Sequence, residues 1–270
     1  MDCQTLTVAH ADGIATVTLN RPERANAMEE AMWHEIRRAM EWADATTEVR
    51  VVVLRGAGKH FTSGIDLAML GGIAAHIEDA DDARRREKLR RLILDLQDTL
   101  TSIERCRKPV IAAVHGACVG GGIDLITACD LRYCSADAKF TVKEIDVGMT
   151  ADVGTLQRLP RLIGEGMARE LAYTGRFVDG AEAKEIRLVN RCFANKEELD
   201  DEVMELARVI AAKSPLAIRG CKEMITYARD HSVADGLNYI ATWNAAMLLS
   251  ADLHEAARAN AEKRPPVFRD

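Results

Sequence analysis

Apolar residues fall along this chain in two patterns, solid short runs and longer spaced stripes. Val51-Val52-Val53-Leu54 and Val110-Ile111-Ala112-Ala113-Val114 are unbroken runs of strand length. A strand with one wet face alternates, so solid runs predict strands covered on both faces. Residues 5–8 and 14–19 flank His10-Ala11-Asp12-Gly13, whose Asp-Gly pair predicts a hairpin turn closed off by Arg21-Pro22. Residues 131–134 and 139–142 read as further strands. The stripes predict helices. Met32, Ile36 and Met40 share one face of a helix over 26–45, with Asn26 as its cap. Leu89, Ile93, Leu96, Leu100 and Ile103 form another, stopped by Cys106-Arg107-Lys108-Pro109. Residues 75–90 ahead of it, acidic over 79–82 and mostly basic over 84–91, read as a mobile segment that turns helical near Leu89. Past Asp152 the chain becomes mostly helical, with candidates at 197–213, 215–229 and 233–262, the first striped by Val203, Leu206 and Ile210. Pro215 suits a helix start. Strands mixed with helices, then helices alone, predict an α/β core over 1–195 and a helical appendage over 196–270. Apolar stripes with no strand to cover them point to an oligomer.

Composition narrows the class. The 270 residues are 48% hydrophobic and 29% charged, an ordinary globular balance. A net charge of −6 and a pI of about 5.7 argue against nucleic-acid binding. No apolar run is long enough to span a bilayer. The first residues lack a basic and apolar leader pattern, and the last five are not a peroxisomal address. Seven cysteines, an odd number without a C-x-x-C pair, predict no zinc site and a reducing compartment, most simply the cytoplasm.

The candidate chemistry centres on Gly120-Gly121-Gly122, followed by Asp124, Glu144 and Asp152. Glycines let backbone N–H groups approach a ligand, and Ile123 onward begins a helix whose free N–H groups favour an anion. Carboxylates beside an oxyanion site suit proton transfer next to a carbonyl. The same residues also read as a tight turn with a first-turn acid that the helix dipole favours. Asp152 lies among Met149, Ala151, Val153 and Gly154, where an unused carboxylate would be costly. His115 reads as a hydrogen-bonded loop residue, and Cys118 lacks a histidine partner for a nucleophilic role. The glycine run is neither a dinucleotide fingerprint nor a P-loop.

Taken together, several segments carry a resemblance. They are Leu19-Asn20-Arg21-Pro22 with Asn26-Ala27, Phe61-Thr62-Ser63-Gly64-Ile65-Asp66-Leu67, Lys108 through Gly116, Gly120 through Leu125, Asp130, and Gln157-Arg158-Leu159-Pro160. In this order and spacing the chain resembles the enoyl-CoA hydratase/isomerase (crotonase) superfamily over nearly its whole length. The stretches Val142 to Gly148 and Ala151 to Arg158, with Asp230-His231-Ser232-Val233-Ala234, Leu237-Asn238-Tyr239 and Trp243-Asn244, are most similar to Δ3,5-Δ2,4-dienoyl-CoA isomerases. The resemblance implies a spiral of ββα units, a C-terminal helical trimerisation region, and trimers that pair into hexamers.

It also implies roles. The backbone N–H groups of Ile65 and Gly121 would hold the thioester oxygen. Arg24, Ala25, Ala27, Ser63, Gly64, Ile65, Asp66, Leu67 and Gly121 would line the acyl-CoA site, with Arg24 toward the CoA phosphates and the Asp66 side chain structural. The basic run over 84–91 reads as a solvated helix face. Enoyl-CoA hydratases carry glutamates at the positions of Asp124 and Glu144 and typically glycine at that of Asp152. This chain departs from that pattern and matches the dienoyl isomerases. They act in fatty acid β-oxidation, moving a proton from C2 to C6 of a 3,5-dienoyl thioester. The implied assignment puts Glu144 at C2, Asp152 at C6 and Asp124 as a tuning group. The roles of Glu144 and Asp152 can also be exchanged. Coenzyme A would be part of the substrate, with no metal or redox cofactor. A hydratase or another crotonase-fold reaction is the alternative, and an RNA-binding module is disfavoured by charge.

Overall fold

The computed structural model describes all 270 residues. β1 (Leu6–Ala11) and β2 (Ile14–Leu19) form the antiparallel hairpin. Its turn is only Asp12-Gly13, both at positive φ, so the first strand runs three residues beyond the predicted end. β3 (Val51–Gly56), β4 (Val110–Val114), β6 (Leu131–Ser135) and β9 (Arg191–Phe193) add in parallel, giving the order β1-β2-β3-β4-β6-β9. A second sheet holds β5 (Ala117–Val119), β7 (Lys139–Thr141) and β8 (Val178–Asp179).

Both faces of the large sheet are covered, which explains the solid apolar runs. Val52, Leu54, Val110, Ala112 and Val114 face a core built with α1 (Glu30–Ala45), α3 (Asp82–Arg105) and α4 (Gly121–Ala128). Val51, Val53, Ile111 and Ala113 face α8 (Lys196–Ala211), which buries Leu199, Val203, Ala207 and Ala211 against them. The first helix past residue 195 therefore seals the sheet rather than standing apart from it. α5 (Thr155–Ile163) and α6 (Glu165–Thr174) lie between β7 and β8, and α7 (Gly180–Glu185) leads from β8 back to β9 of the large sheet.

Several expectations need correction. Asn26 does not cap α1, which begins at Glu30. Asn26 is fully buried at φ 53° and ties the loop ahead of the site instead. The charged segment is helical from Asp82, because the Asp81 carboxylate caps the N–H groups of Ala83 and Arg84. A further helix, α2 (Leu67–His76), precedes it. The long helix expected over 233–262 is two helices, α10 (Val233–Met247) and α11 (Ala251–Ala261), because Ser250 caps a new start. α9 (Pro215–Ala228) begins at the proline, as its sequence predicts. α10 buries none of its residues, and Leu237, Leu248, Leu249 and Leu253 lie open to solvent.

Candidate active site

The site is assembled by three short backbone pairings. Residues 61–66 run between two neighbours. On one side Ser63 N–H donates to Ala25 O at 2.9 Å, Met28 N–H to Gly64 O at 2.8 Å, and Asp66 N–H to Met28 O at 3.0 Å. On the other, Thr62 N–H donates to Ala117 O at 2.9 Å and Val119 N–H to Thr62 O at 3.1 Å. The third pairing, β5 with β7, brings Gly120 N–H to Thr141 O at 3.0 Å and so sets the glycine triplet beside Glu144.

Asn26 holds this frame. Its Nδ2 donates to the carbonyls of Ala57 (2.9 Å), His60 (2.8 Å) and Phe61 (3.2 Å), and its Oδ1 accepts from Arg21 N–H at 2.8 Å. Ala25 beside it is also left-handed, at φ 50°. Asparagine tolerates that conformation better than most residues. The Asp66 carboxylate caps α2 through Ala68 N–H at 3.0 Å and faces Arg21 at 3.2 Å. The Ala68 N–H bond and the Arg21 guanidinium hold its pKa below the usual carboxylate range. Asp66 is therefore a structural anchor.

Two amides are left unspent. Ile65 sits in a bridge with Met28 in which Gly64 O and Asp66 N–H make the bonds, so its own N–H has no partner in the chain. Gly121 is the first residue of α4, and its N–H is one of the free donors of a helix start. The two are neighbours. A Cβ added to Gly121 would lie 3.7 Å from Ile65 N, and one added to Gly64 would lie 3.3 Å from Gly121 N and 2.6 Å from Val119 O. Gly64 has φ +87°, so both backbone conformation and space require glycine there. Buried Met28 and Trp33 wall this spot, with Met28 Sδ 3.5 Å and the Trp33 ring 3.8 Å from the same Gly121 Cβ position. The Trp33 indole N–H is held by Met28 O at 3.1 Å.

Two of the acids lie beside the glycine triplet, and the third, Asp152, is near enough for its charge to raise both. Glu144 opens a 3₁₀ turn (Glu144–Val147), and its Oε1 would stand 3.2 Å from a Cβ on Gly120. Asp124 is fully buried in the first turn of α4, and its Oδ1 accepts the first N–H of α5, that of Thr155, at 2.6 Å. Asp124 Oδ2 and Glu144 Oε2 are buried with no hydrogen-bond partner. Burial, opposed by Thr155 and reinforced by the charges of Glu144 and Asp152, pushes the Asp124 pKa up to about 7. Burial also raises Glu144, with Asp152 adding to the effect. Burial raises half-buried Asp152 too, against the pull of its own backbone N–H. The acids are close enough to perturb one another, yet no three His, Cys, Asp or Glu side chains meet as a metal-holding group.

Arg24 is exposed on the rim of a cleft of about 570 Å³ that also takes in Arg21, Asp66, Ala68, Met69 and His76. Ala25 and Ser63 belong to the paired frame, Ala27 O accepts from the Arg21 guanidinium at 2.6 Å, and Leu67 opens α2 and is 69% exposed. His115 Nε2 bonds Gly58 O at 2.9 Å, and burial lowers its pKa, in keeping with a loop role. Cys118 is fully buried and burial raises its thiol pKa strongly, which leaves it unreactive. Thr155 and Gln97, whose side chain reaches the Asp152 backbone, carry no local sequence signal for the site, and Asn26, expected as a helix cap, ties the loop instead.

Two free amides beside buried, protonatable carboxylates can hold an oxyanion and move protons next to it, which is the equipment of an enzyme acting alpha to a carbonyl. The chain belongs to the enoyl-CoA hydratase/isomerase family, whose model matches residues 9–270. Its fold is that of the crotonases. It is similar to a solved enoyl-CoA hydratase from Bacillus anthracis, with a TM-score of 0.89, 32% identity, and 98% of this chain and 99% of that one covered. It is 51% identical over 251 residues to an Arabidopsis thaliana protein named peroxisomal Delta(3,5)-Delta(2,4)-dienoyl-CoA isomerase, covering 93% of this chain and 90% of that protein. It is 48% identical over 249 residues to a Homo sapiens protein named for the same activity and mitochondrial, covering 92% of this chain and 76% of that protein. No helix is long and apolar enough to cross a membrane.

Proposed function

We propose that this chain isomerises 3,5-dienoyl-CoA thioesters to 2,4-dienoyl-CoA, as a step of unsaturated fatty acid β-oxidation. The observation that carries the reading is a third carboxylate, Asp152, whose charge reaches both Asp124 and Glu144, the acids beside a pair of amides that have no other partner in the chain. The names of the relatives at 51% and 48% identity agree with it.

In this reading the N–H groups of Ile65 and Gly121 hold the thioester oxygen. Glu144 takes a proton from C2, and the electron pair spreads through the dienolate to C6. Asp152 gives C6 a proton, and transfer of one proton from Glu144 back to Asp152 resets the pair. The upward shifts suit both tasks, since they make Glu144 a stronger base and help Asp152 keep the proton it delivers. Asp124, pushed up to about 7 with the charges of the pair contributing, limits how many of the three acids ionise together. The CoA moiety runs past Ala25, Ala27 and Ser63 toward Arg24, and no separate cofactor takes part.

The open apolar face of α10 and α11 supports a homotrimer or a dimer of trimers. A stable monomer in sedimentation at micromolar concentration would remove that part of the proposal. Free cysteines throughout fit a cytoplasmic location, which an organellar signal from a tagged chain would overturn. The activity itself is tested by offering one 3,5-dienoyl-CoA and one 2-enoyl-CoA side by side and following absorbance. Growth of the 2,4-diene band supports the isomerase. Hydration of the enoyl thioester alone supports a hydratase.

A further inference from the structure

Asp152 stands on a segment with little secondary structure of its own. Residues 151–154 lie between the 3₁₀ turn after Glu144 and the start of α5. Gly154 at the end of this stretch has φ +137°, a conformation open almost only to glycine. The stretch controls two acids at once, because it carries Asp152 and leads into the Thr155 N–H that holds Asp124. Its fixing points therefore set the geometry of the site.

One fixing point comes from a different element. Gln97, on the half-buried flank of α3, donates its Nε2–H to the backbone carbonyl of Asp152 at 2.6 Å. The acceptor is a carbonyl, so only the amide NH₂ end of the glutamine can serve there. Nearby, Arg158 packs over Gly154 so closely that a Cβ there would be 1.9 Å from its Nη1, and its guanidinium is held by Glu104 at 3.0 Å. Arg158 is thus committed to the α5 end of the stretch, and Gln97 alone holds the peptide of Asp152 from outside. The carbonyl that Gln97 holds and the Asp152 side chain both hang from the Asp152 Cα, so releasing that carbonyl frees the backbone torsion that aims the carboxylate.

We infer that Gln97 is a positioning residue for the proton delivered at the far end of the dienolate, acting through the Asp152 peptide. This rests on the proposed role of Asp152. A shift of the carboxylate by about an ångström costs up to about a hundredfold when the reacting atoms must be aligned. A partial loosening costs about tenfold on the same scale. No hydrogen bond joins Gln97 to Glu144 or to the amides of Ile65 and Gly121, so the C2 step is spared.

The test uses Gln97→Met, which keeps length without a donor, and Gln97→Glu, whose carboxyl can donate only when protonated. Wild type is first shown to isomerise a 3,5-dienoyl-CoA; if it does not, the proposed function fails and Gln97 is not the cause. Given that, Gln97→Met should lose about tenfold in kcat for isomerisation, with KM and C2 exchange in D₂O within about twofold of wild type. Gln97→Glu should be weaker still at pH 8 and recover relative to wild type as the pH falls toward 5. Circular dichroism checks that both variants fold. Isomerisation unchanged in Gln97→Met, or isomerisation and C2 exchange falling together, would overturn the inference. So would a Gln97→Glu to wild-type ratio that does not move with pH.

Discussion

Asp124→Asn separates the cost of the site from its use. In the folded protein Asp124 is fully buried, and one of its oxygens has no partner. The gap between the ordinary 3.8 and about 7 corresponds to roughly 4 kcal/mol of stability. The sign follows from proton counting. Between those pH values the folded chain keeps a proton on Asp124 that the unfolded chain has released. Wild-type stability attributable to this group is therefore full below pH 3.8, falls as pH rises, and levels off above about 7. Asparagine has no proton to lose. Its Oδ1 can keep the Thr155 N–H bond, and its Nδ2 replaces an equally unpartnered carboxyl O–H. The variant should match wild type near pH 4 and be more stable at pH 8 by up to about 4 kcal/mol, while isomerisation falls. Even a quarter of that, about 1 kcal/mol, moves Tm by about 2–4 °C in a chain of this size. Thermal melts of both proteins between pH 4 and 8 measure the difference directly. A gap that does not widen with pH, or a variant less stable than wild type at pH 8, would refute the reasoning.

Two other substitutions probe the frame. A Cβ at Gly121 meets only ordinary contacts, the nearest at 3.5 Å, so Gly121→Val should fold while its methyls crowd the space before Ile65 N–H. Turnover should drop by about two to three decades, and a near-wild-type rate would remove Gly121 from the site. Asn26→Ala strips three carbonyls and one N–H of their partner and leaves alanine at a positive φ. It should cost on the order of 3 kcal/mol, read as a Tm lowered by several degrees, and an unchanged Tm would contradict its anchoring role.

The parts of this protein legible in its sequence are those written into local pattern. The runs at 51–54 and 110–114 are solid because α8 covers one face of their sheet and α1, α3 and α4 the other. The stripe of α8 and the proline start of α9 were equally plain. The helix start at Asp82 was hidden because its first turns are held by a cap and solvated charges, with no apolar periodicity. The break before α11 was hidden because one serine cap interrupts a continuous apolar stretch. β8 and β9 span two and three residues, too short to show alternation. At the site, Asp124, Glu144 and Asp152 stood out by spacing and by the company of glycine. Asn26 drew notice for the wrong task, since capping and loop-tying ask for the same short polar side chain. Thr155 and Gln97 act through contacts 31 and 55 residues apart in the chain, which no local pattern records.

The central claim is that two carboxylates divide one isomerisation, Glu144 working at C2 and Asp152 at C6. Its most direct measurement follows Asp152→Asn and Glu144→Gln in D₂O with a 3,5-dienoyl-CoA, reading the 2,4-diene by absorbance and C2 deuterium by mass. The account predicts that Asp152→Asn loses isomerisation by about two to four decades yet still exchanges C2, and that Glu144→Gln loses both. Exchange lost in Asp152→Asn but kept in Glu144→Gln would reverse the two roles. Normal isomerisation by Asp152→Asn would contradict the account.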